Sequence, residues 1–154
     1  MIQHPNLEGL LPEEQWRMIL RLMPIPCVDV ILEKSSKVLI GFRAISPYRN
    51  VWALPGGRIR KNEHPEDTVK RILNEIGVSG SIKEFIGVFP VRFPRHSEKR
   101  YDITLCYRSN WKKGDPRSTL ELTRFQWVSM RQLPKRTGGN YRRMIQAAFS
   151  KESK

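Results

Sequence analysis

Residues 52–80, WALPGGRIRKNEHPEDTVKRILNEIGVSG, decide how the rest of the chain is read. An apolar run ends in Pro55-Gly56-Gly57, passes a basic turn and enters a short amphipathic helix. Asn62 or His64 can cap that helix, Pro65 suits its first position, and Glu66 and Asp67 suit the positive end of its dipole. Val69, Ile72, Leu73 and Ile76 fall at i, i+3, i+4 and i+7, one apolar stripe for a core. Arg71 and Glu75 stand four apart and share the other face. Gly77 can take the left-handed conformation that ends a helix. The segment is a glycine turn feeding a helix, and without side chains Gly56 and Gly57 let the backbone approach a phosphate or a metal closely.

The flanks build a sheet around this unit. Residues 26–34 and 37–44 are rich in β-branched and apolar residues on either side of Lys34-Ser35-Ser36, which reads as a β-hairpin. Residues 51–55 form another short strand. SIKEFIGVFPVRF and YDITLCYRSNW read as strands flanking a basic loop, and RFQWVSM as a further one. Helices are expected at about 12–23, within the 56–77 unit, and at about 140–150, with Asn140 able to cap the last. The order predicts one α+β domain over residues 1–154, a mixed sheet sandwiched between helices.

Composition narrows the partners. A formal net charge of +13 over 154 residues favours an anionic partner: a nucleotide, a nucleic acid or an acidic surface. Basic residues are densest at 92–100, 111–117 and 134–143. Cys27 and Cys106 sit among apolar neighbours, as core thiols do, and no paired spacing suggests zinc or a disulfide framework. No apolar run is long enough for a membrane helix, and the first residues lack the charge-then-apolar order of a secretory signal. A cytoplasmic protein with no membrane partner is the expectation.

The 52–80 segment resembles the signature of the Nudix hydrolases, G-x5-E-x7-R-E-U-x-E-E-x-G-U with U a bulky aliphatic residue. Gly57, Glu63 and Arg71 match the first three fixed positions at the family's spacing. The second half departs: Ile72 stands where the pattern has Glu, one carboxylate, Glu75, stands for the Glu-Glu pair, and Gly77 comes one residue early. Counted from the front, Glu75 is the first of the pair and Ile76 replaces the second; counted back from Gly77, Glu75 is the second. Within the family the chain is similar to the GDP-mannose mannosyl hydrolases, which share a box without the Glu after Arg, a single metal-binding Glu, and residues at the positions of Asp29, Arg43 and Arg58.

That resemblance implies the Nudix fold, a homodimer, and a Mg²⁺-dependent (or Mn²⁺-dependent) hydrolase of a nucleoside diphosphate sugar that breaks the sugar C–O bond. It implies Arg43 and Arg58 on the phosphates, Asp29 near the sugar, and metal ligands from the Gly56 carbonyl, Glu75 and Glu121. The subgroup's general-base histidine falls at Leu122, which cannot accept a proton; His96, in the basic loop, and Glu121 are the two candidates to replace it. Glu63 reads better as a structural carboxylate than as a catalytic one, and Arg71–Glu75 as an ordinary helix ion pair remains a rival to a metal-site role. Cleavage of a pyrophosphate bond in nucleoside triphosphates or nucleotide sugars is the alternative chemistry; a catalytically weak nucleotide- or RNA-binding module is the alternative of another class.

Overall fold

The computed structural model describes residues 11–150. The expected start of the chain, residues 1–10, lies outside them. Helix α1 (Glu13–Leu22) begins after Pro12, carries Glu13 and Glu14 in its first turn, and buries Trp16 and Leu20. Strands β1 (Ile25–Lys34) and β2 (Lys37–Arg43) form the expected hairpin. Its two turn residues, Ser35 and Ser36, have φ of 50° and 64°, the left-handed pair that a two-residue turn needs to match the strands' twist. Two short strands follow, β3 (Trp52–Ala53) and β4 (Gly56–Arg58), then α2 (Pro65–Glu75), β5 (Ser79–Arg92), β6 (Tyr101–Lys113), β7 (Leu122–Ser129) and α3 (Gly139–Ser150).

The strands make one seven-stranded sheet. Its main path runs β3-β2-β1-β6-β5, with β4 also pairing β1 and β7 also pairing β2. β1 and β6 run parallel; the other pairs are antiparallel. Both faces of the central strands are covered. Val28, Val30 and Leu32 of β1 pack with Val69, Ile72, Leu73 and Ile76, so the stripe read on α2 is its buried face. Ile31 belongs to the opposite cluster, with Tyr141, Met144, Ile145 and Ala148 of α3. α1 lies over the start of β1, where Trp16 and Leu20 pack with Ile25 and Cys27. This is the layered α+β arrangement expected from the sequence, and Cys27 and Cys106 are both buried free thiols.

Two local expectations need correction. Gly56 and Gly57 are not a turn: they lie in β4, which pairs β1 with Cys27 opposite Arg58, Val28 opposite Gly57 and Asp29 opposite Gly56. Glycine is a poor strand residue in isolation, but a Cβ at Gly56 would collide with Asp29 Oδ1, so the strand can form only because that side chain is missing. Asn140 does not cap α3 from outside; it is the second residue of the helix and is buried. The end of α2 is as expected. Gly77 has φ of +80°, and the Gly77 and Val78 N–H groups donate to the Asn74 and Leu73 carbonyls at 3.0 Å each, closing the helix end.

Candidate functional site

The site grows from the junction of β4 and α2. Glu63 lies just before α2, and its Oε1 accepts from the Arg60 N–H (3.1 Å), the Thr68 hydroxyl (2.7 Å) and Arg71 Nη2 (3.0 Å). Its Oε2 accepts from Arg71 Nε at 2.8 Å. Arg71 Nη2 also donates to the Arg58 carbonyl at 2.8 Å. One guanidinium therefore ties the helix to its own entry loop and to the strand that carries Arg58. The Arg71 hydrogen bonds, with those from Thr68 and Arg60, hold the Glu63 carboxyl down at about 2. Glu63 and Arg71 are thus a structural hub.

Beside this hub lies a cleft, partly open to solvent. Asp29, Arg43, Gly56, Arg58 and Glu121 all line it, so five of the residues singled out in the sequence share one space. Arg100 and Asp102 join them; these two were not foreseen, although Arg100 lies in the dense basic stretch before β6. Arg100 Nε donates to Asp102 Oδ1 at 2.8 Å. Asp29 is only 8% exposed. Burial, with Asp102 nearby, pushes its carboxyl up to about 8 against the opposing pull of Arg43. Asp29 is therefore largely protonated at neutral pH and can both donate and accept a hydrogen bond.

Glu121 reaches the cleft through a local irregularity. The β2–β7 register shifts between Gly41 and Arg43, leaving Arg43 opposite Leu122. The Glu121 and Leu122 N–H groups donate to Thr119 Oγ1 at 3.2 and 3.0 Å, and the Ala44 N–H donates to the Glu121 carbonyl at 2.8 Å. The result places Glu121 Oε2 3.8 Å from Arg43 Nη1. Arg43 also donates to the carbonyls of Ile45 and Ser46 at 3.3 and 3.0 Å, which fixes the 45–47 wall of the cleft.

His96 is not brought to this cleft. Its Nδ1 accepts the Glu98 N–H at 3.1 Å, inside its own loop. Of the two candidates to replace the base, Glu121 lines the cleft, together with Asp29 and Asp102.

Gly56, Glu75 and Glu121, the residues expected to hold a metal, all line a second depression beside the cleft. Glu75 is 46% exposed in its side chain and is turned to Arg71 Nη1 at 3.0 Å, with Arg60 Nη2 at 3.9 Å. Ile72 and Ile76 are 3% and 4% exposed. They line the same depression with Pro55, Arg60 and Leu120, and it shares Gly56, Glu121 and Leu122 with the cleft. Counted from the front, Ile72 and Ile76 put apolar side chains where the signature has carboxylates, while Glu75 keeps one. Among the described residues no three His, Cys, Asp or Glu side chains are placed to share an ion. Glu75, Glu121 and the Gly56 carbonyl would suit a Mg²⁺ that keeps several waters and takes further oxygens from a substrate's phosphates.

Comparison with known proteins agrees with the box and the fold. The NUDIX domain profile matches residues 23–148. The chain belongs to the Nudix family. Among curated Nudix relatives it is similar to the low-salt glycan biosynthesis protein Agl8 of Haloferax volcanii, 35% identical over 80 residues, 51% of each chain. It is also similar to an ADP-ribose pyrophosphatase of Methanocaldococcus jannaschii, 39% identical over 79 residues, 49% of this chain and 47% of the relative. The chain thus spans about half the length of these two relatives. Among solved structures, the NUDIX domain of Shewanella oneidensis NrtR, crystallised with ADP ribose, superposes with a TM-score of 0.68 at 20% identity, covering 98% of this chain and 99% of that one. No helix among the described residues is long and apolar enough to cross a membrane.

Proposed function

We propose that this Nudix protein hydrolyses a nucleoside diphosphate sugar, GDP-mannose-like, at the sugar C–O bond. The observation that carries the reading is the make-up of the site: guanidinium and carboxyl groups of Arg43, Arg58, Asp29 and Glu121 line one cleft, while the signature's carboxylate cluster is thinned on α2 to Glu75, with Ile72 and Ile76 beside it. Attack at phosphorus draws on such a cluster to neutralise the phosphoryl oxygens. Attack at the anomeric carbon asks for less: a base for water and cationic stabilisation of a diphosphate that is already a good leaving group.

In this mechanism the diphosphate lies along the β4 backbone at Gly56–Gly57, with the Arg58 guanidinium on its oxygens. Guanidinium stays charged and can pair with two oxygens at once. The neutral Asp29 carboxyl and the sugar hydroxyls exchange hydrogen bonds. Glu121 takes a proton from water as the water oxygen bonds to the anomeric carbon. The carbon–oxygen bond breaks, its electron pair leaves with the diphosphate, and Arg58 stabilises the charge that develops there. The products are the free sugar, the nucleoside diphosphate and one proton.

Hydrolysis in ¹⁸O-water reads the bond directly. The label is expected in the free sugar; label in the phosphate would establish pyrophosphate cleavage instead, the reaction named for the Methanocaldococcus relative. Glu121→Gln is expected to lower kcat by roughly 10²–10⁴, the range for a lost general base, and a rate within threefold of wild type would remove Glu121 from that role.

A further inference from the structure

We infer that Arg100, which lies outside the family signature, is a diphosphate-binding residue, held by Asp102 beside Arg58 so that the two guanidinium groups share the substrate's two phosphoryl groups. The inference rests on the reading of the cleft as a nucleoside diphosphate site and adds the start of β6 to it. Arg100 closes the 93–100 loop: the Phe93 N–H donates to its carbonyl at 2.9 Å, and β6 begins at the next residue. Asp102 is 7% exposed. Strand register sets it beside Ile25 of β1, on the sheet face where Thr104 stands beside Cys27 and Cys106 beside Asp29. Arg58 meets Cys27 from the other side of β1. Arg58, Arg100, Asp102 and Thr104 all line the cleft. The guanidinium carbons of Arg58 and Arg100 lie 4.7 and 5.9 Å from the centroid of the Trp16 ring, so two cations are neighbours at this end of the site.

The way Arg100 is held suits it to an anion. A guanidinium has five N–H donors, and the bond to Asp102 runs through Nε, which donates to Oδ1 at 2.8 Å. The Nη groups donate to no carboxylate or carbonyl among the described residues, and the Cys27 thiol beside them is only a weak acceptor. The Arg100 and Asp102 side chains are 13% and 10% exposed, so the pair is largely shielded from water, where a guanidinium–phosphate contact is stronger. Asp102 also offsets the repulsion between the two neighbouring cations. Arg43 is held otherwise: it donates to the Ile45 and Ser46 carbonyls and faces Glu121. A diphosphate presents two phosphoryl groups side by side, and each can pair with a guanidinium through two oxygens.

The test is calorimetric binding of inorganic pyrophosphate in excess Mg²⁺, a probe with the diphosphate and neither base nor sugar. Arg100→Gln is expected to weaken binding about tenfold or more, the scale of a lost charge-assisted contact. Arg92→Gln removes the same charge from an exposed position on β5 and is expected to change affinity by less than about twofold, as a screened charge would. Equal losses would mean that Arg100 acts only through overall charge and would overturn the inference. The double variant Arg100→Gln/Asp102→Asn removes both members of the pair and should stay about fivefold or more weaker than wild type. Recovery to wild-type affinity would reduce Arg100 to a counter-ion for Asp102 and would also overturn it. Where a variant does not fold, wild type decides by nuclear magnetic resonance: the Arg100 Nε signal should move with the calorimetric midpoint, and a signal unmoved at saturation sinks the inference. Wild type that binds no pyrophosphate overturns it together with the diphosphate reading of the cleft. Arg100-dependent binding by a protein that turns over no nucleotide sugar upholds Arg100 and rejects the sugar.

Discussion

The two halves of α2 were built to different rules. The first half is polar and closed: Glu63, Thr68 and Arg71 satisfy one another and tie the helix to Arg58. The second half is apolar where the signature is acidic: Ile72 and Ile76 join the core and the floor of the second depression. The same helix has kept the residues that shape the loop and thinned the signature's carboxylates to Glu75. The difference teaches that the scaffold of the Nudix box and its metal chemistry are separable, because Glu63–Arg71 acts on backbone geometry while the missing carboxylates act on a ligand.

The largest expected effect breaks the first half. Arg71→Leu leaves Glu63 a partly buried carboxylate without its main partner and frees the Arg58 carbonyl. A destabilisation of about 3 kcal/mol is expected, the low end for breaking a buried pair, measured by urea unfolding. A loss below 1 kcal/mol would show that the hub is ornamental to stability.

The second half invites the reverse change. Ile76→Glu adds a carboxylate beside Glu75, facing the depression shared with Glu121. It is expected to cost about 2 kcal/mol, from lost packing and a desolvated charge. In exchange the variant gathers three carboxylates and should bind Mn²⁺, by electron paramagnetic resonance, more tightly than the free wild-type protein. Equal Mn²⁺ affinity in the two would mean that the wild-type donors already suffice.

A smaller effect sharpens the contrast through pH. The folded-state carboxyl of Glu63 is depressed from 4.5 to about 2, so its contribution is fully present above pH 4.5 and is lost as pH falls toward 2. Allowing for screening by solvent, that contribution is about 1–2 kcal/mol. Wild-type stability should fall across this window more steeply than that of Glu63→Gln. Parallel profiles would move the acid sensitivity to another group.

Much of this architecture was legible in the sequence. The stripe Val69, Ile72, Leu73, Ile76 gave α2 its buried face because side-chain period alone decides it. The Ser35-Ser36 turn and the β-branched runs beside it marked the hairpin. β4 was not legible, because two glycines carry no strand propensity and the reason they pair is Asp29, which lies far away in sequence. The box itself was legible where it followed the signature, at Gly57, Glu63 and Arg71, while Asp29, Arg43, Arg58 and Glu121, which share the cleft, were named through the subgroup resemblance. Asp29 could not be assigned from alternation, since both faces of β1 are buried. His96 was misleading for a similar reason: a basic loop near the site in sequence says nothing of which way an imidazole turns.

The smallest expected effect discriminates most sharply between the two readings of the helix end. Glu75 is the one carboxylate left in the second half, and the family resemblance assigns it to a metal. The geometry assigns it to Arg71, four residues earlier, at 3.0 Å and with its side chain 46% exposed. Such an i,i+4 pair stabilises a helix by about 0.2–0.5 kcal/mol, and solvent screens it. As a metal ligand, Glu75 would instead be needed for turnover, and Glu75→Gln would abolish Mg²⁺-dependent activity without touching the fold. The arrangement found here predicts the opposite pattern. Glu75→Gln should lower stability by a few tenths of a kcal/mol, an amount that disappears in high salt, and leave kcat within threefold of wild type across a Mg²⁺ titration. A hundredfold fall in kcat, or a shifted Mg²⁺ midpoint, would return Glu75 to the metal. It would also mean that substrate binding pulls the carboxylate off Arg71, because the two roles compete for the same oxygen.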